Sequence, residues 1–360
     1  MSDSHSKIST SKINAGNHFE DFRLGKVIHH ATPRTIGEGE CALYIALTGS
    51  RHILHSAQPV AQSLGYKDRP IDDLLAFHIA FGKTVPDISV NAVANLGYAD
   101  VRFLHPIYIG DTLSTSSIVI GLKENSNGKS GIVYVRSTSI NQLYQPIFSW
   151  IRWVMVHKHN LNAPAPETII PELPAFVSAD QLVIPAHLDT RKFDTSLTGG
   201  AYLWDDYFIG ERINHPAGMT ISDTDHTLVT KLYQNNARLH FDDLMMQQTP
   251  FKRRLMYGGH VISVCRALSY DGLENALVIA AINAGTHCNP SFGDDTIYTW
   301  TEVLDKWTIA DRHDIGALRL RMVGVKNMRP AQISDIKTSG VYHTNVVLDL
   351  DYTVLMPKRT

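Results

Sequence analysis

The sequence predicts an α+β protein built twice over, each copy a long central helix followed by an antiparallel sheet. The first observation is a repeat. A shift of 185 residues lays Asp21-Phe22-Arg23-Leu24-Gly25 over Asp206-Tyr207-Phe208-Ile209-Gly210, His55 over His240 and Phe77 over Ile262. Ile28, Thr35 and Ile36 fall on Ile213, Thr220 and Ile221. After a one-residue slip, Pro106 to Leu113 matches Pro290 to Ile297. A period this long marks a duplicated domain, because solenoid repeats run only ~20–50 residues. The second observation is apolar spacing. Leu74, Leu75, His78, Ile79 and Gly82 recur at helical intervals, as do Val261, Ile262, Cys265, Leu268 and Ser269. The third is the pair of β-rich runs that closes each copy: Ile132–Ile140 and Phe148–Val156, then Ala317–Val325 and Thr344–Val354.

Taken in chain order, residues 1–17 are polar, lack an apolar h-region and read as a disordered tail rather than a signal peptide. A first domain is expected over 18–159. Residues 160–200 carry Pro164, Pro166, Pro171, Pro174 and Pro185, which predict an extended connector. A second domain follows over 201–360. Near the start of each copy, Ala42–Leu47 and Leu228–Tyr233 read as strands that end near the aligned histidine. A short helix is expected next, with Asp242 a plausible N-cap in the second copy because its carboxylate can accept from free backbone N–H groups. The central helix and the closing strands complete each copy.

Composition removes several classes of function. With 360 residues, 44% of them hydrophobic, the chain can bury two cores. Its 33 Lys and Arg against 35 Asp and Glu leave a formal charge of -2, so neither nucleic acid nor an anionic membrane is an expected main partner. No apolar run reaches the length of a membrane span. Cys41, Cys265 and Cys288 form no CxxC pair, which argues against a zinc ribbon or redox motif and fits a reducing compartment, the cytoplasm by default. There is no P-loop, dinucleotide fingerprint, HExxH or metal-ligand cluster. No cofactor or metal is expected.

The residues that carry chemistry lie in the second copy. Asn235-Asn236-Ala237-Arg238-Leu239-His240 resembles the motif of the MaoC-like (R)-specific enoyl-CoA hydratases, Gly-Asp-x-Asn-Pro-(Leu/Ile/Val)-His. The histidine falls on His240 and the aspartate place on Asn235. Arg254-Leu255-Met256-Tyr257-Gly258-Gly259 opens the central helix where that family reads Arg-Pro-Ile-Ala-His-Gly, which puts the family's oxyanion glycine on Gly259. The chemistry suits the place. A helix N-terminus offers unpaired N–H groups and a positive dipole end, and a fixed donor to an enolate oxygen is worth ~10²–10³ in rate. In the first copy Ser50, His55 and Leu74 hold the corresponding positions, and Leu74 would block close approach. The second copy is therefore the expected catalytic half.

Longer strings narrow the resemblance. Phe81 to Asp87, Ala94 to Phe103, Leu232 to Asn235 and Tyr257 to Ser263 are similar to the mesaconyl-CoA hydratases, also called β-methylmalyl-CoA dehydratases or 2-methylfumaryl-CoA hydratases. The likeness runs from His18 to Pro357. It implies a double hot-dog fold, in which each sheet wraps round its central helix. It also implies reversible dehydration of β-methylmalyl-CoA to mesaconyl-CoA, with a CoA thioester as the small-molecule partner. It leaves room for a homo-oligomer without specifying one. On this reading His240 is the acid–base residue, Asn235 holds a water because an amide cannot be a base, and Gly259 supplies the oxyanion donor. Tyr257, Gly258 and His260 are secondary candidates for substrate contact. Lys252, Arg253 and Arg254 are candidates for CoA phosphates or a substrate carboxylate. Asp72, Asp73, Asp242 and Asp243 are candidates for an assisting carboxylate, each also readable as a cap. The rival functions are a hydratase of other (R)-3-hydroxyacyl-CoAs, a hot-dog thioesterase, and a non-catalytic acyl-CoA binding protein.

Overall fold

A computed structural model describes residues 12–359, so most of the expected N-terminal tail lies outside the described residues. The first repeat comprises β1 (Val27–His29), β2 (Arg34–Thr35), α1 (Glu38–Thr48), α2 (Ile53–Ser56), α3 (Gln58–Ser63), α4 (Asp73–Gly82), α5 (Val85–Ile88), β3 (Ala92–Phe103), β4 (Thr112–Glu124), β5 (Ser130–Ile140) and β6 (Pro146–His157). The second comprises β7 (Arg212–Thr220), α6 (Asp223–Leu232), α7 (Asp243–Met246), α8 (Gly258–Leu268), β8 (Val278–His287), β9 (Thr296–Ile309), β10 (Arg312–Lys326), the small hairpin β11 (Lys337–Thr338) and β12 (Val341–Tyr342), and β13 (Val346–Pro357).

The strands of both repeats join one antiparallel sheet of order β1-β4-β5-β6-β3-β8-β13-β10-β9-β7, with β2 also on β4. The order is mirrored about the β3–β8 pair, where Tyr98 faces Gly285, Ala99 faces Ala284 and Val101 faces Ile282. The sheet curls over two central helices, α4 and α8, whose residues Leu74–Gly82 and Gly259–Leu268 are all buried. A helix enclosed on every side can be apolar all round, which is why neither carries a broad polar face. α8 packs on β7, β9, β10 and β13, and α4 touches α8 directly. This is the double hot-dog. One hydrophobic core runs through it, joining Phe77, Phe81 and Trp150 of the first repeat to Val261, Leu320 and Tyr352 of the second.

The repeat extends to individual hydrogen bonds. Thr35 and Thr112 hydroxyls meet at 2.7 Å, as do Thr220 and Thr296. The Asp111 carboxylate accepts from the Tyr108 N–H and the Gln142 amide, and Asp295 does the same for Phe292 and Asn327. Residues 160–200 carry little regular structure: one bridge, Ile169 to Leu122, and short 3₁₀ turns. Val177, Leu182 and Leu188 from this segment pack with Ala280, Ala317 and Leu355 of β8, β10 and β13.

Two sequence expectations are corrected. Ala42–Leu47 and Leu228–Tyr233 are not strands. The first lies within the helix α1, and the second forms the end of α6 and its C-cap, Tyr233. Short apolar runs do not distinguish strand from helix, and here the caps decide. The Glu40 carboxylate accepts from the Gly37 N–H at 2.9 Å, and Gly49 ends α1 in the left-handed conformation. Ser222 and Asp225 form a reciprocal capping box at the start of α6. By contrast, Asp242 caps α7 as expected, accepting from Met245 N at 2.9 Å.

The core holds an unusual load of buried imidazole. Burial lowers the pKa of His78 and His260 to about 3, and that of His215 to about 4. Unfolded chains protonate these rings near the ordinary value of ~6.5, whereas the folded protein keeps them neutral. Their contribution to stability is therefore complete above pH 6.5 and declines as the pH falls toward 4, by up to about 1.4 kcal/mol per ring per pH unit. The melting temperature should drop steeply between pH 6.5 and 5; a flat profile by differential scanning calorimetry would refute this account.

Candidate active site

His240 ends a 3₁₀ turn, Arg238–His240. A local clamp fixes its ring. The Leu255 N–H donates to the Leu239 carbonyl at 3.1 Å, and the His240 Nδ1 lies 2.9 Å from the Leu255 carbonyl. A carbonyl only accepts, so Nδ1 carries the hydrogen and Nε2 keeps its lone pair. Burial pushes the His240 pKa down to about 4 against the opposing pull of the Leu255 carbonyl, so the ring is neutral at neutral pH.

Asn235 sits on the tight bend after α6, where Gln234 has a φ of 52°. Its Oδ1 accepts from the Ala237 N–H at 3.0 Å. That bond orients the amide. Nδ2 makes no hydrogen bond among the described residues. The first repeat holds this bend in place. An added Cβ on Gly82, at the end of α4, would lie 2.1 Å from the Tyr233 carbonyl oxygen, so only glycine permits the approach. Beside it the Lys83 ammonium donates to the Gln234 side-chain carbonyl.

α8 begins at Gly258 with Tyr257 as its N-cap. The backbone N–H groups of Gly258 and Gly259 have no acceptor among the described residues, and they stand at the positive end of a buried helix. The two glycines have different surroundings. Gly258 is on a cavity wall, and a Cβ there would meet the His287 ring at 2.4 Å. Gly259 lies beneath the Tyr257 ring and against His78, where a Cβ would come within 2.4 and 2.8 Å of them.

His240, Asn235, Tyr257 and Gly258 share one cavity of about 290 Å³. Both repeats build it, the first contributing Phe81, Ser89, Asn95, Tyr98 and Arg152. No Asp or Glu is among its lining residues. The four candidate carboxylates are engaged elsewhere. Asp72 caps α4, Asp73 accepts from Ile279 N, Asp242 caps α7, and Asp243 accepts from Gln247. His260 is fully buried within α8 and is not on the cavity wall. Lys252 donates to the Gln247 carbonyl, Arg253 to the Gly293 carbonyl, and Arg254 to Thr227 with Asp223 at 3.6 Å. Their neighbours in sequence, Phe251 and Leu255, line the cavity, so the basic turn lies beside it.

Four further residues on the wall lie outside the hydratase motif: Asn95, Tyr98, Arg152 and His287. Tyr98 and His287 come from β3 and β8 and meet at 3.0 Å across the junction of the repeats. Burial lowers the His287 pKa to about 4. Asn95 and Tyr98 lie in a string that resembles the hydratases, but only the fold shows that they line the same cavity as His240.

The first repeat has an equivalent site, and it is closed. His55 Nδ1 lies 3.2 Å from the Pro70 carbonyl, repeating the His240–Leu255 clamp. The space beside it is about 30 Å³. By the 185-residue shift Asp73 stands where Gly258 stands. Its carboxylate lies 3.8 Å from His55 Nε2 and accepts from the Ile279 N–H at 2.9 Å. Burial pushes the Asp73 pKa up to about 6. A side-chain carboxyl thus stands in the first repeat where the second has Gly258 and open cavity, and Leu74 is buried beside it.

Comparison with known proteins places this arrangement among relatives. A family profile described as mesaconyl-CoA hydratase matches residues 6–166. The β-methylmalyl-CoA dehydratase of Chloroflexus aurantiacus is 54% identical over 97% of this chain and 99% of its own length. The mesaconyl-CoA hydratase of Cereibacter sphaeroides is 51% identical over 96% of this chain and 100% of its own. The crystal structure of a MaoC domain protein from Chloroflexus aurantiacus superposes with a TM-score of 0.95 and 54% identity, covering 98% of this chain and all of that one.

The geometry makes the two repeats separable by mutation. Gly258→Ala should push His287 off Tyr98 and narrow the cavity, lowering turnover by about 10²-fold, since small misplacements at a reacting centre have effects of that size. His55→Ala, in the closed site, should leave turnover near wild type. Steady-state kinetics of both variants check this, and equal losses would refute the assignment of the open cavity.

Proposed function

We propose that this chain, which belongs to the mesaconyl-CoA hydratase family, is a hydro-lyase that interconverts mesaconyl-CoA and β-methylmalyl-CoA. The observation that carries the reading is the His240 ring, its Nδ1 fixed by the Leu255 carbonyl, on the same cavity as Gly258 with its free amide at the start of α8. Acyl-CoA hydration needs these two elements together: a base for water and a donor for the oxygen that gains charge.

In the hydration direction the thioester oxygen takes the N–H groups at the start of α8. Asn235 Nδ2 donates to the oxygen of a water, and that water donates to His240 Nε2. The ring removes one proton as the water oxygen bonds to C3, the carbon bearing the free carboxylate. The π electron pair of C2=C3 moves toward the thioester and places negative charge on its oxygen, where the Gly258 amide at the start of α8 stabilises it. The imidazolium then returns its proton to C2 and the enolate collapses. One water is added and the base is regenerated. The reverse sequence dehydrates β-methylmalyl-CoA. A single neutral imidazole serves as both base and acid because no carboxylate stands on the wall to share the proton. The basic turn Lys252–Arg254 lies beside the cavity, which supports a role in meeting the CoA phosphates as charges near its mouth rather than as buried ligands. Free Cys41, Cys265 and Cys288 suit a reducing compartment such as the cytoplasm.

Purified protein should consume mesaconyl-CoA, with loss of enoyl-thioester absorbance, much faster than crotonyl-CoA; no loss with mesaconyl-CoA would overturn the reading. His240→Ala should fold and lose about 10²–10⁴-fold in turnover, the usual share of acid–base catalysis. The base must be neutral, and its pKa of about 4 keeps it so. The acid limb of kcat/KM for hydration should therefore fall near pH 4. A limb at pH 6.5 would show a base in a water-like setting instead.

A further inference from the structure

We propose that Arg152 receives the free carboxylate of the substrate and so sets a preference for dicarboxyl over monocarboxyl thioesters. The inference rests on the hydratase reading above. Arg152 projects from β6, cross-strand from Tyr98 of β3, and is fully buried on the cavity wall. Its guanidinium donates to the Thr84 hydroxyl at 2.8 Å and reaches the Ser89 hydroxyl at 3.5 Å, both neutral groups. It forms no ion pair among the described residues, and its Nε has no partner. Other arginines on these strands behave differently. Arg102 and Arg136 share Asp100, Arg319 meets Asp351 and Arg321 meets Asp349.

Leaving a cation buried and unmatched is costly, and Arg152 stands on the wall of an open cavity, where a counter-ion can arrive from outside. Burial lowers the Arg152 pKa only to about 10, so the charge persists at neutral pH. The Phe81 ring lies 4.3 Å beneath the guanidinium and holds its plane. A planar fork held in this way matches a carboxylate in bidentate fashion. A second orphan lies on the same wall: both polar atoms of the Asn95 side chain are buried without partners. Without Asp or Glu on the wall, nothing repels an incoming anion. In mesaconyl-CoA the free carboxylate is attached to C3, the carbon that water attacks. Pairing with Arg152 places that carbon against His240 and offsets the negative charge that would otherwise discourage attack.

The test compares mesaconyl-CoA with (E)-2-methylcrotonyl-CoA, in which a methyl group replaces the carboxylate. Arg152→Gln should lower kcat/KM for mesaconyl-CoA on the order of 100- to 1,000-fold, the range seen when one partner of a buried charge pair is removed. The neutral substrate should be unaffected or better used. Arg152→Lys should recover part of the loss. Equal losses on both substrates, or an unchanged preference, would overturn the proposal. A wild-type enzyme that ignores mesaconyl-CoA would instead sink the hydratase reading, and this proposal with it. Should the variants fail to fold, calorimetric binding to the wild-type protein decides. Succinyl-CoA should bind at least about tenfold more tightly than butyryl-CoA, and equal affinity would refute the role of Arg152.

Discussion

Everything distinctive about this molecule depends on the pairing of β3 with β8. Antiparallel ladders leave unpaired backbone groups on their edges, and each repeat alone would expose one at this strand. Joining the two edges removes the liability and makes one continuous sheet. The same pairing sets α4 against α8 under that sheet. It brings Tyr98 within hydrogen-bonding distance of His287, and it turns β3 and β6 into a wall of the cavity served by the second repeat's histidine. A single repeat would have His240 and the α8 amides but half a pocket.

The site works by exclusion as much as by contact. Its imidazoles are kept neutral by burial, its wall has no carboxylate, and its donors are backbone amides that need no reorganisation. In such low-dielectric surroundings a fixed N–H acts on developing charge more strongly than in water. The same surroundings make a lone guanidinium conspicuous. The combination distinguishes a site with an anionic requirement from one that merely tolerates a thioester.

Much of this was legible in the sequence. The repeat, both central helices and the closing strands followed from alignment and spacing, and the motif singled out His240, which lines the cavity. The helices α1 and α6 did not, because their apolar runs fit either period and the caps that set them, Gly37–Glu40 and Ser222–Asp225, lie outside those runs. Gly258 and Gly259 are adjacent, and sequence cannot say which lines the cavity and which lies under Tyr257. Arg152 was out of reach for a physical reason. It sits in a strand-like run whose neighbours are apolar, and its meaning comes from what fails to meet it in three dimensions. Tyr98 and His287 were hidden likewise, since 189 residues separate them in the chain.

Asp73 gives the two halves different thermodynamic characters. Its carboxylate rests at the position where the second repeat has Gly258 and an open cavity, so the first repeat's counterpart is filled by its own chain. Only the other repeat can gain stability by mass action when a thioester binds. Occupancy of the pocket thus tightens one half of a molecule whose other half is already closed. The silent repeat is a rigid abutment, and Gly82 and Lys83 press it against the bend that carries Asn235.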